Sequence, residues 1–104
     1  MARVAFKMQL LKGFEEEYRK RHDALPPDLK KLLKKTGIHD YGIFLDESNG
    51  TLFALMEVED ETKLANLPQQ PVMKKWWKFM GDIMQTNPDN SPVSTPLKEV
   101  FYLP

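Results

Sequence analysis

The sequence predicts an α+β fold in which one antiparallel sheet carries helices on a single face. Two periodicities support this prediction. Some stretches alternate between apolar and polar residues, as strands with one buried face do, and others repeat apolar residues every three or four positions, as helices do. Their order is strand, helix, strand, strand, helix, strand. At 104 residues the chain can form one domain with its own core and is too short for two, so we expect residues 1–104 to form one domain.

The first strand is predicted over residues 3–10, in which every second residue is apolar: Val4, Phe6, Met8 and Leu10. The first helix is predicted over residues 14–22. This segment has no β-branched residue and carries glutamates in its first turn, where the helix dipole favours acidic groups. Phe14, Tyr18 and His22 are four apart and therefore share one face of this helix.

Two prolines, Pro26 and Pro27, interrupt the helix, and a second helical segment is predicted over residues 28–36. A β-hairpin follows. Residues 39–46 and 51–58 both alternate, and the segment Glu47–Gly50 between them has the composition of a turn. In the first arm of the hairpin, alternate residues share one face of the strand: Tyr41, Ile43 and Leu45.

After a short polar helical turn that begins at Glu61, the last helix is predicted over residues 72–84, with Pro71 at its first turn. Prolines and turn-forming residues crowd positions 87–92, so we expect a loop over residues 85–96. Residues 97–103 alternate again and predict the final strand.

This order is the split βαβ, or ferredoxin-like, arrangement. One chain of this order has no element left to cover the second face of its sheet. Two such sheets packed face to face would bury both apolar surfaces, and we therefore expect a homodimer with the shape of a dimeric α+β barrel.

The composition excludes several classes of function. The chain has no cysteine, and its two histidines form no His-x-x-x-His pattern, so we expect chemistry without a metal or a cofactor. Fifteen basic residues balance fifteen acidic ones, which argues against a nucleic-acid binder that uses a broad positive field. No apolar stretch is long enough for a membrane span, and the first residues alternate like a strand, so we expect a cytoplasmic protein without membrane partners.

The residues that suggest chemistry are aromatic. Trp76 and Trp77 are adjacent, and their side chains leave a helix about 100° apart, so they cannot fill one hole. Either a wide apolar stripe buries both, or one forms an aromatic wall for a ligand or a partner. His22 is either a buried imidazole paired with a carbonyl or carboxylate, or an acid/base group beside Tyr18, whereas the position of His39 is typical of a hydrogen-bonded surface residue. An imidazole flanked by tyrosines and indoles suits the recognition of a polyol.

The chain resembles the L-rhamnose mutarotase family along essentially its whole length. The resemblance lies in four segments: Glu17–His22, Asp40–Asp46, Trp76–Met80 and the tail that joins Asn87–Ser94 to Leu97–Pro104. It implies a dimeric α+β barrel enzyme that interconverts the α and β anomers of L-rhamnose. It also implies His22 as the proton donor, with four residues holding the sugar: Tyr18, Tyr41, Trp76 and Trp77.

Anomerisation needs an acid and a base. We expect protonated His22 to act on one sugar oxygen, while a tyrosine, water or a carboxylate acts on the other, with Asp23 and Asp89 as the candidate carboxylates. Pro26 departs from the resemblance, since an aromatic residue is common there, and this predicts an altered fit around the sugar. Two other functions remain open from the residues alone: another enzyme of the same fold, such as a small monooxygenase or a lactone isomerase, and a sugar-binding module without activity.

Overall fold

The computed structural model describes residues 1–104. Three α-helices, one 3₁₀ helix and four strands follow one another along the chain: β1 (Ala2–Gln9), α1 (Glu15–Asp23), α2 (Pro27–Lys35), β2 (Ile38–Asp46), β3 (Thr51–Val58), the 3₁₀ helix (Glu61–Gln69), α3 (Pro71–Met80) and β4 (Ser94–Leu97). The strands form one antiparallel sheet in the order β2-β3-β1-β4. The predicted α+β fold with an antiparallel sheet is therefore confirmed. No helix has the combined length and hydropathy that crossing a membrane requires.

The core lies between the helices and one face of the sheet. A larger cluster joins β1 and β3 to Tyr18 of α1 and Met80 of α3, and its sheet side is formed by Met8, Leu10, Leu52 and Ala54. A smaller cluster around Met56 and Val58 packs against α2 and the 3₁₀ helix. The alternation of β3 explains this arrangement, because its even-numbered residues from Leu52 to Val58 are buried and its odd-numbered residues face outward.

The hairpin has the predicted bounds in its second arm and the predicted turn. Asp46 Oδ1 accepts hydrogen bonds from the Ser48 backbone N–H at 3.0 Å and from the Ser48 hydroxyl. Gly50 has a φ of +76°. A Cβ at this position would lie 2.9 Å from the Leu10 carbonyl oxygen, so both the backbone conformation and the space require glycine.

The end of the last helix differs from the prediction. We predicted a helix over residues 72–84, but α3 ends at Met80. Gly81 has a low helix propensity, and after it the chain turns back toward β1, where Met84 forms a bridge with Leu10. The buried Ile83 therefore joins the core from this turn and not from the helix.

The final strand was predicted in the wrong place. Strand β4 covers Ser94–Leu97, so it begins inside the predicted loop and ends where we expected the strand to begin. Beyond Leu97 the chain leaves the sheet, and Glu99 accepts a hydrogen bond from Arg3 Nε at 2.9 Å. Three apolar side chains of the tail stay exposed: Val100, Phe101 and Leu103.

Candidate functional site

A cavity of about 450 Å³ lies between the inner face of the sheet and the helices. Its volume falls within the range of small-molecule sites. Sixteen of its 22 lining residues are hydrophobic, so a few polar groups project from largely apolar walls. All five residues predicted for the site line this one cavity: Tyr18, His22, Tyr41, Trp76 and Trp77. They come from α1, β2 and α3, and the fold brings them together.

The imidazole of His22 has a defined tautomer. Its Nδ1 lies 2.9 Å from the carbonyl oxygen of Tyr18, one helical turn earlier. A carbonyl only accepts hydrogen bonds, so Nδ1 carries the proton and the neutral ring leaves a lone pair on Nε2. Nε2 has no hydrogen-bond partner in the protein. Every fully buried side-chain nitrogen or oxygen does have a partner, so Nε2 is not fully buried. Nε2 is therefore open to solvent and available to a ligand.

Two aromatic rings fix the orientation of this imidazole. The ring of Tyr18 lies 4.3 Å from it between centroids, with an interplanar angle of 32°. The indole of Trp76 meets it edge to face, with 5.3 Å between centroids and an angle of 89°. The bond to the Tyr18 carbonyl and these two contacts hold the ring on several sides.

Burial lowers the pKa of His22 from its ordinary value of 6.5. The hydrogen bond to the Tyr18 carbonyl and the charge of Asp23 act in the opposite direction and only partly offset this effect. The neutral ring therefore predominates at pH 7, in contrast to the protonated His22 that we expected from the sequence. In this form Nε2 can accept a proton before it donates one.

The two tyrosines stay protonated at neutral pH and can act as hydrogen-bond donors. Burial raises the pKa of Tyr41 to about 12. Burial also raises the pKa of Tyr18, and the neighbouring Tyr41 adds to this shift. Tyr41 lines the cavity, although 38% of the whole residue is exposed. The Tyr18 hydroxyl has no partner in the protein and, by the same reasoning as for His22 Nε2, is open to a ligand.

A β-bulge directs Tyr41 into the cavity. Ile38 and Tyr41 both face inward although they are three residues apart, which regular alternation forbids. The pairing with β3 gains one extra residue between His39 and Gly42, and Asp40 adopts a left-handed φ of +47° there. The bulge thus turns the predicted shared face of Tyr41, Ile43 and Leu45 toward the helices.

Trp76 and Trp77 are both half-buried and both line the cavity. Trp76 also packs against the larger core cluster, and its ring lies 5.8 Å from that of Phe79. Trp77 is not part of that cluster. The two interpretations of the tryptophan pair therefore both apply to Trp76, which is core and cavity wall at once.

Sequence reasoning missed three polar residues of the cavity: Asn87, Ser91 and Ser94. The Asn87 side chain donates to the Ser91 hydroxyl at 3.0 Å, and the backbone N–H of Asn87 donates to the Ser91 carbonyl at 2.8 Å. These bonds fold the loop so that both side chains reach the cavity. The only signal in the sequence is the turn-forming composition of this segment.

Neither carboxylate suggested for the second acid/base role lines this cavity. Asp23, near Arg19 and with 72% of its side chain exposed, lines a second, adjoining cavity that shares Tyr18, His22, Tyr41 and Trp76 with the first. Asp89 accepts hydrogen bonds from the backbone N–H and the hydroxyl of Ser91, which hold it in the loop. Pro26 does not line the cavity either, and it caps the start of α2.

The second histidine lies outside the site. His39 Nε2 forms a hydrogen bond with the Glu59 carboxylate, and 43% of its side chain is exposed. This is the hydrogen-bonded surface role that its position predicted. No three His, Cys, Asp or Glu side chains lie close enough together to hold a metal ion.

Comparison with known proteins identifies the family. The family model described as L-rhamnose mutarotase matches residues 3–103. A curated L-rhamnose mutarotase from Formosa agariphila is 54% identical over 103 residues, which cover 99% of each chain. The crystal structure of an L-rhamnose mutarotase from the same organism covers 100% of both chains, with a TM-score of 0.94 and 53% identity.

A more distant structure shares only the fold. The crystal structure of an antibiotic biosynthesis monooxygenase is 14% identical, with a TM-score of 0.52, and the match covers 96% of this chain and 99% of that one. Such a likeness carries no function, because this fold supports many chemistries. The match over residues 3–103 and the 54% identity decide the assignment: the chain belongs to the L-rhamnose mutarotase family.

Proposed function

We propose that the cavity binds L-rhamnose and that His22 interconverts its α and β anomers. The observation that carries this proposal is the free Nε2 lone pair of a neutral imidazole, open to a cavity with apolar walls and tyrosine donors. Ring opening of a hemiacetal needs one group to take a proton and another to supply one, and histidine can do both near neutral pH.

The reaction begins when Nε2 of His22 takes the proton from the C1 hydroxyl. The C1–O5 bond breaks, C1 becomes an aldehyde, and the ring oxygen receives a proton from water or from a tyrosine hydroxyl. The imidazolium then returns a proton to whichever group supplied it. Rotation about the C1–C2 bond turns the other face of the aldehyde toward the oxygen on C5. Reclosure reverses the proton transfers and gives the other anomer, with no net gain or loss of protons.

The aromatic walls and the tyrosines hold the sugar during these steps. The C–H face of a pyranose packs on an indole plane, and Trp76 and Trp77 supply two such surfaces from different directions. Tyr18 and Tyr41 donate to sugar hydroxyls, since both stay protonated. The methyl group at C6 suits apolar walls, but discrimination against a 6-hydroxy sugar by such a wall is worth only about 1–3 kcal/mol, so we expect some substrate breadth.

Saturation-transfer NMR of the two anomers of L-rhamnose tests this activity in one sample. We expect the chain to raise the exchange rate above the rate in buffer alone. Binding of the sugar without faster exchange would instead indicate a sugar-binding module. Turnover of an aromatic or lactone substrate in the absence of sugar exchange would indicate one of the other enzymes of this fold.

We also propose that the chain is a homodimer that buries the outer face of its sheet. Three large apolar side chains on this face are exposed: Phe44 by 67%, Phe53 by 40% and Leu97 by 38%. Phe44 and Phe53 are neighbours, because they pair across β2 and β3, and Leu97 extends this apolar face to the other edge of the sheet, where it pairs with Ala5. A second copy of the same face would cover them, as a symmetric interface requires.

Light scattering coupled to size-exclusion chromatography tests the dimer. We expect a dimer at micromolar concentration, and Phe53→Glu should shift it toward monomer. Phe14→Glu is the matched control, because Phe14 is similarly exposed, at 37%, but begins α1 on the helical side. A stable wild-type monomer at that concentration would contradict this proposal. The cytoplasmic location remains a prediction from the sequence, and cell fractionation tests it.

A further inference from the structure

The helix that carries His22 is attached to the protein mainly through side chains. α1 makes no extended backbone contact with another helix or strand, unlike α2 and α3, which pack against each other. Tyr18 anchors the middle of α1 in the core. Near its C-terminal end, beside His22, a second attachment is needed if the imidazole is to keep one position.

Arg21 provides this attachment. Its side chain is only 11% exposed, and its Nε donates to the Glu17 carboxylate at 2.7 Å. Its Nη1 donates to the Phe79 carbonyl at 2.7 Å and to Asp82 Oδ1 at 2.8 Å, and Nη2 donates to Asp82 Oδ2 at 3.3 Å. The guanidinium carbon also lies 4.3 Å from the centroid of the Phe79 ring. One side chain thus joins α1 to the end of α3 by hydrogen bonds and a cation–π contact.

The contact satisfies a need of α3. The last carbonyls of a helix have no partner within the helix and carry the negative end of its dipole. Phe79 lies in the last turn of α3, and the Arg21 guanidinium supplies both a donor and a positive charge there. Trp76 lies one turn earlier on the same helix. Arg21 is adjacent to His22, so its contacts join the end of α1 that carries His22 to the end of α3 that carries Trp76.

We propose that Arg21 is a positioning residue for anomer exchange, because it clamps α1 to the C-terminal end of α3 and so fixes the edge-to-face contact between His22 and Trp76. The clamp keeps the imidazole at the depth where Nε2 faces the cavity. This inference rests on the role proposed for His22. Without the clamp, α1 can move away from α3, and the imidazole loses its fixed distance to the sugar.

Only arginine fits the clamp. Its planar fork donates to a carboxylate through two nitrogens and to a carbonyl at the same time, whereas the lysine ammonium is a point charge on a flexible stem. Arg21→Lys therefore keeps the charge and loses the geometry. The titratable groups around His22 include Asp23 on the same helix, Tyr18 one turn earlier and Tyr41 on β2. Four more charged groups line the adjoining cavity with His22: Glu15, Glu16, Arg19 and Glu47. None of these groups changes in this variant.

The test compares Arg21→Lys and Arg21→Gln with Lys20→Gln, which removes a positive charge from the exposed side of the same helix. NMR titration of the His22 ring without sugar measures its pKa, and saturation transfer with L-rhamnose measures kcat and KM. We expect the Arg21 variants to lower kcat by ~10–100-fold, as a misplaced acid/base group does, with a smaller change in KM. We also expect the His22 pKa to rise toward 6.5 in both, as the ring becomes more solvated. Lys20→Gln should change neither.

A purely structural role predicts a different result. If folded Arg21 variants kept the wild-type kcat and the wild-type His22 pKa while only their unfolding temperature fell, the positioning role would be overturned. If the Arg21 variants do not fold, Asp82→Asn decides, since it weakens the clamp but leaves the bond to the Phe79 carbonyl; wild-type values in both measurements would then overturn the proposal. The NMR titration needs no sugar, so it still tests the clamp if wild-type exchange proves to be uncatalysed and the proposed function fails.

Discussion

The imidazole of His22 and the indole of Trp76 meet edge to face, 5.3 Å apart between ring centroids. One residue comes from α1 and the other from α3, so this contact joins the proposed acid/base group to both the cavity wall and the core. A change at Trp76 is therefore expected to affect stability and catalysis together.

Alanine substitutions at the two tryptophans should separate these effects. Trp76→Ala is expected to lower the free energy of unfolding by about 1–3 kcal/mol, less than the ~3–5 kcal/mol of a fully buried tryptophan, and also to slow anomer exchange. Trp77→Ala should weaken sugar binding with a smaller loss of stability, because Trp77 lies outside the core cluster. Denaturant unfolding and sugar titration measure the two effects. If both changes reduced stability and left sugar affinity intact, the pair would be core residues only.

The pH dependence of exchange should follow the neutral form of His22. Burial lowers its pKa below 6.5 in the folded protein, so the base form predominates at pH 7 and is lost as the pH falls through the lowered pKa. We expect kcat/KM to be constant around neutral pH and to decline on the acidic side. A rate that rose as the pH fell below 6.5 would indicate the imidazolium as the starting form.

The same shift predicts how stability changes with pH. Unfolded His22 takes up a proton near pH 6.5, while the folded ring stays neutral to a lower pH. The unfolded state therefore binds more protons between these two values, and stability falls as the pH decreases through that window. Unfolding of the wild type and of His22→Gln at several pH values tests this, since the variant should lose that part of the dependence. Identical pH profiles for the two proteins would be inconsistent with the lowered pKa.

Two of the three glycines at positive φ, Gly13 before α1 and Gly50 in the hairpin turn, offer a stability test. Gly13 has a φ of +90° with no atom within 4 Å of an added Cβ, whereas at Gly50 the added atom would meet the Leu10 carbonyl oxygen at 2.9 Å. Gly13→Ala should cost about 1 kcal/mol from backbone strain alone. Gly50→Ala should cost more, about 2–3 kcal/mol, because the clash adds to the strain. Equal losses in denaturant unfolding would show that the clash relaxes freely.

Neither surface carboxylate should be needed for exchange. Asp23→Asn and Asp89→Asn keep the shape of each side chain, and asparagine at position 89 can still accept a hydrogen bond from Ser91. We expect both variants to stay within about threefold of the wild-type rate, below the ~10²–10⁴-fold effect of a general acid or base. A loss in that larger range at either position would restore that carboxylate as the second group.

The periodicity of the sequence predicted which faces are buried more reliably than where elements end. Tyr41 was predicted to share one face with Ile43 and Leu45, but the bulge that turns this face inward depends on the conformation of Asp40, which alternation does not reveal. The end of α3 was missed because Ile83 continues the helical apolar pattern, although it is buried from a turn.

Tertiary contacts explain the remaining differences. The tail after Leu97 alternates like a strand, but its pairing with β1 stops at Ala5, and Arg3 contacts the tail beyond this point through the side chains of Glu99 and Tyr102. The five predicted site residues line one cavity and their roles stay predictions, whereas Asn87 and Ser91 reach it through the folding of a loop that has no periodic pattern. Their contribution could not be predicted from residue spacing.

Anomer exchange by His22→Gln, measured by saturation transfer with L-rhamnose, tests the central claim most directly. Glutamine keeps a polar side chain of similar length but cannot exchange protons near neutral pH. His39→Gln is the matched control, since it replaces the other histidine, which lies outside the cavity and pairs with Glu59. We predict a fall of ~10²–10⁴-fold for folded His22→Gln and wild-type exchange for His39→Gln. Wild-type exchange by folded His22→Gln would contradict the assignment of His22 as the acid/base group.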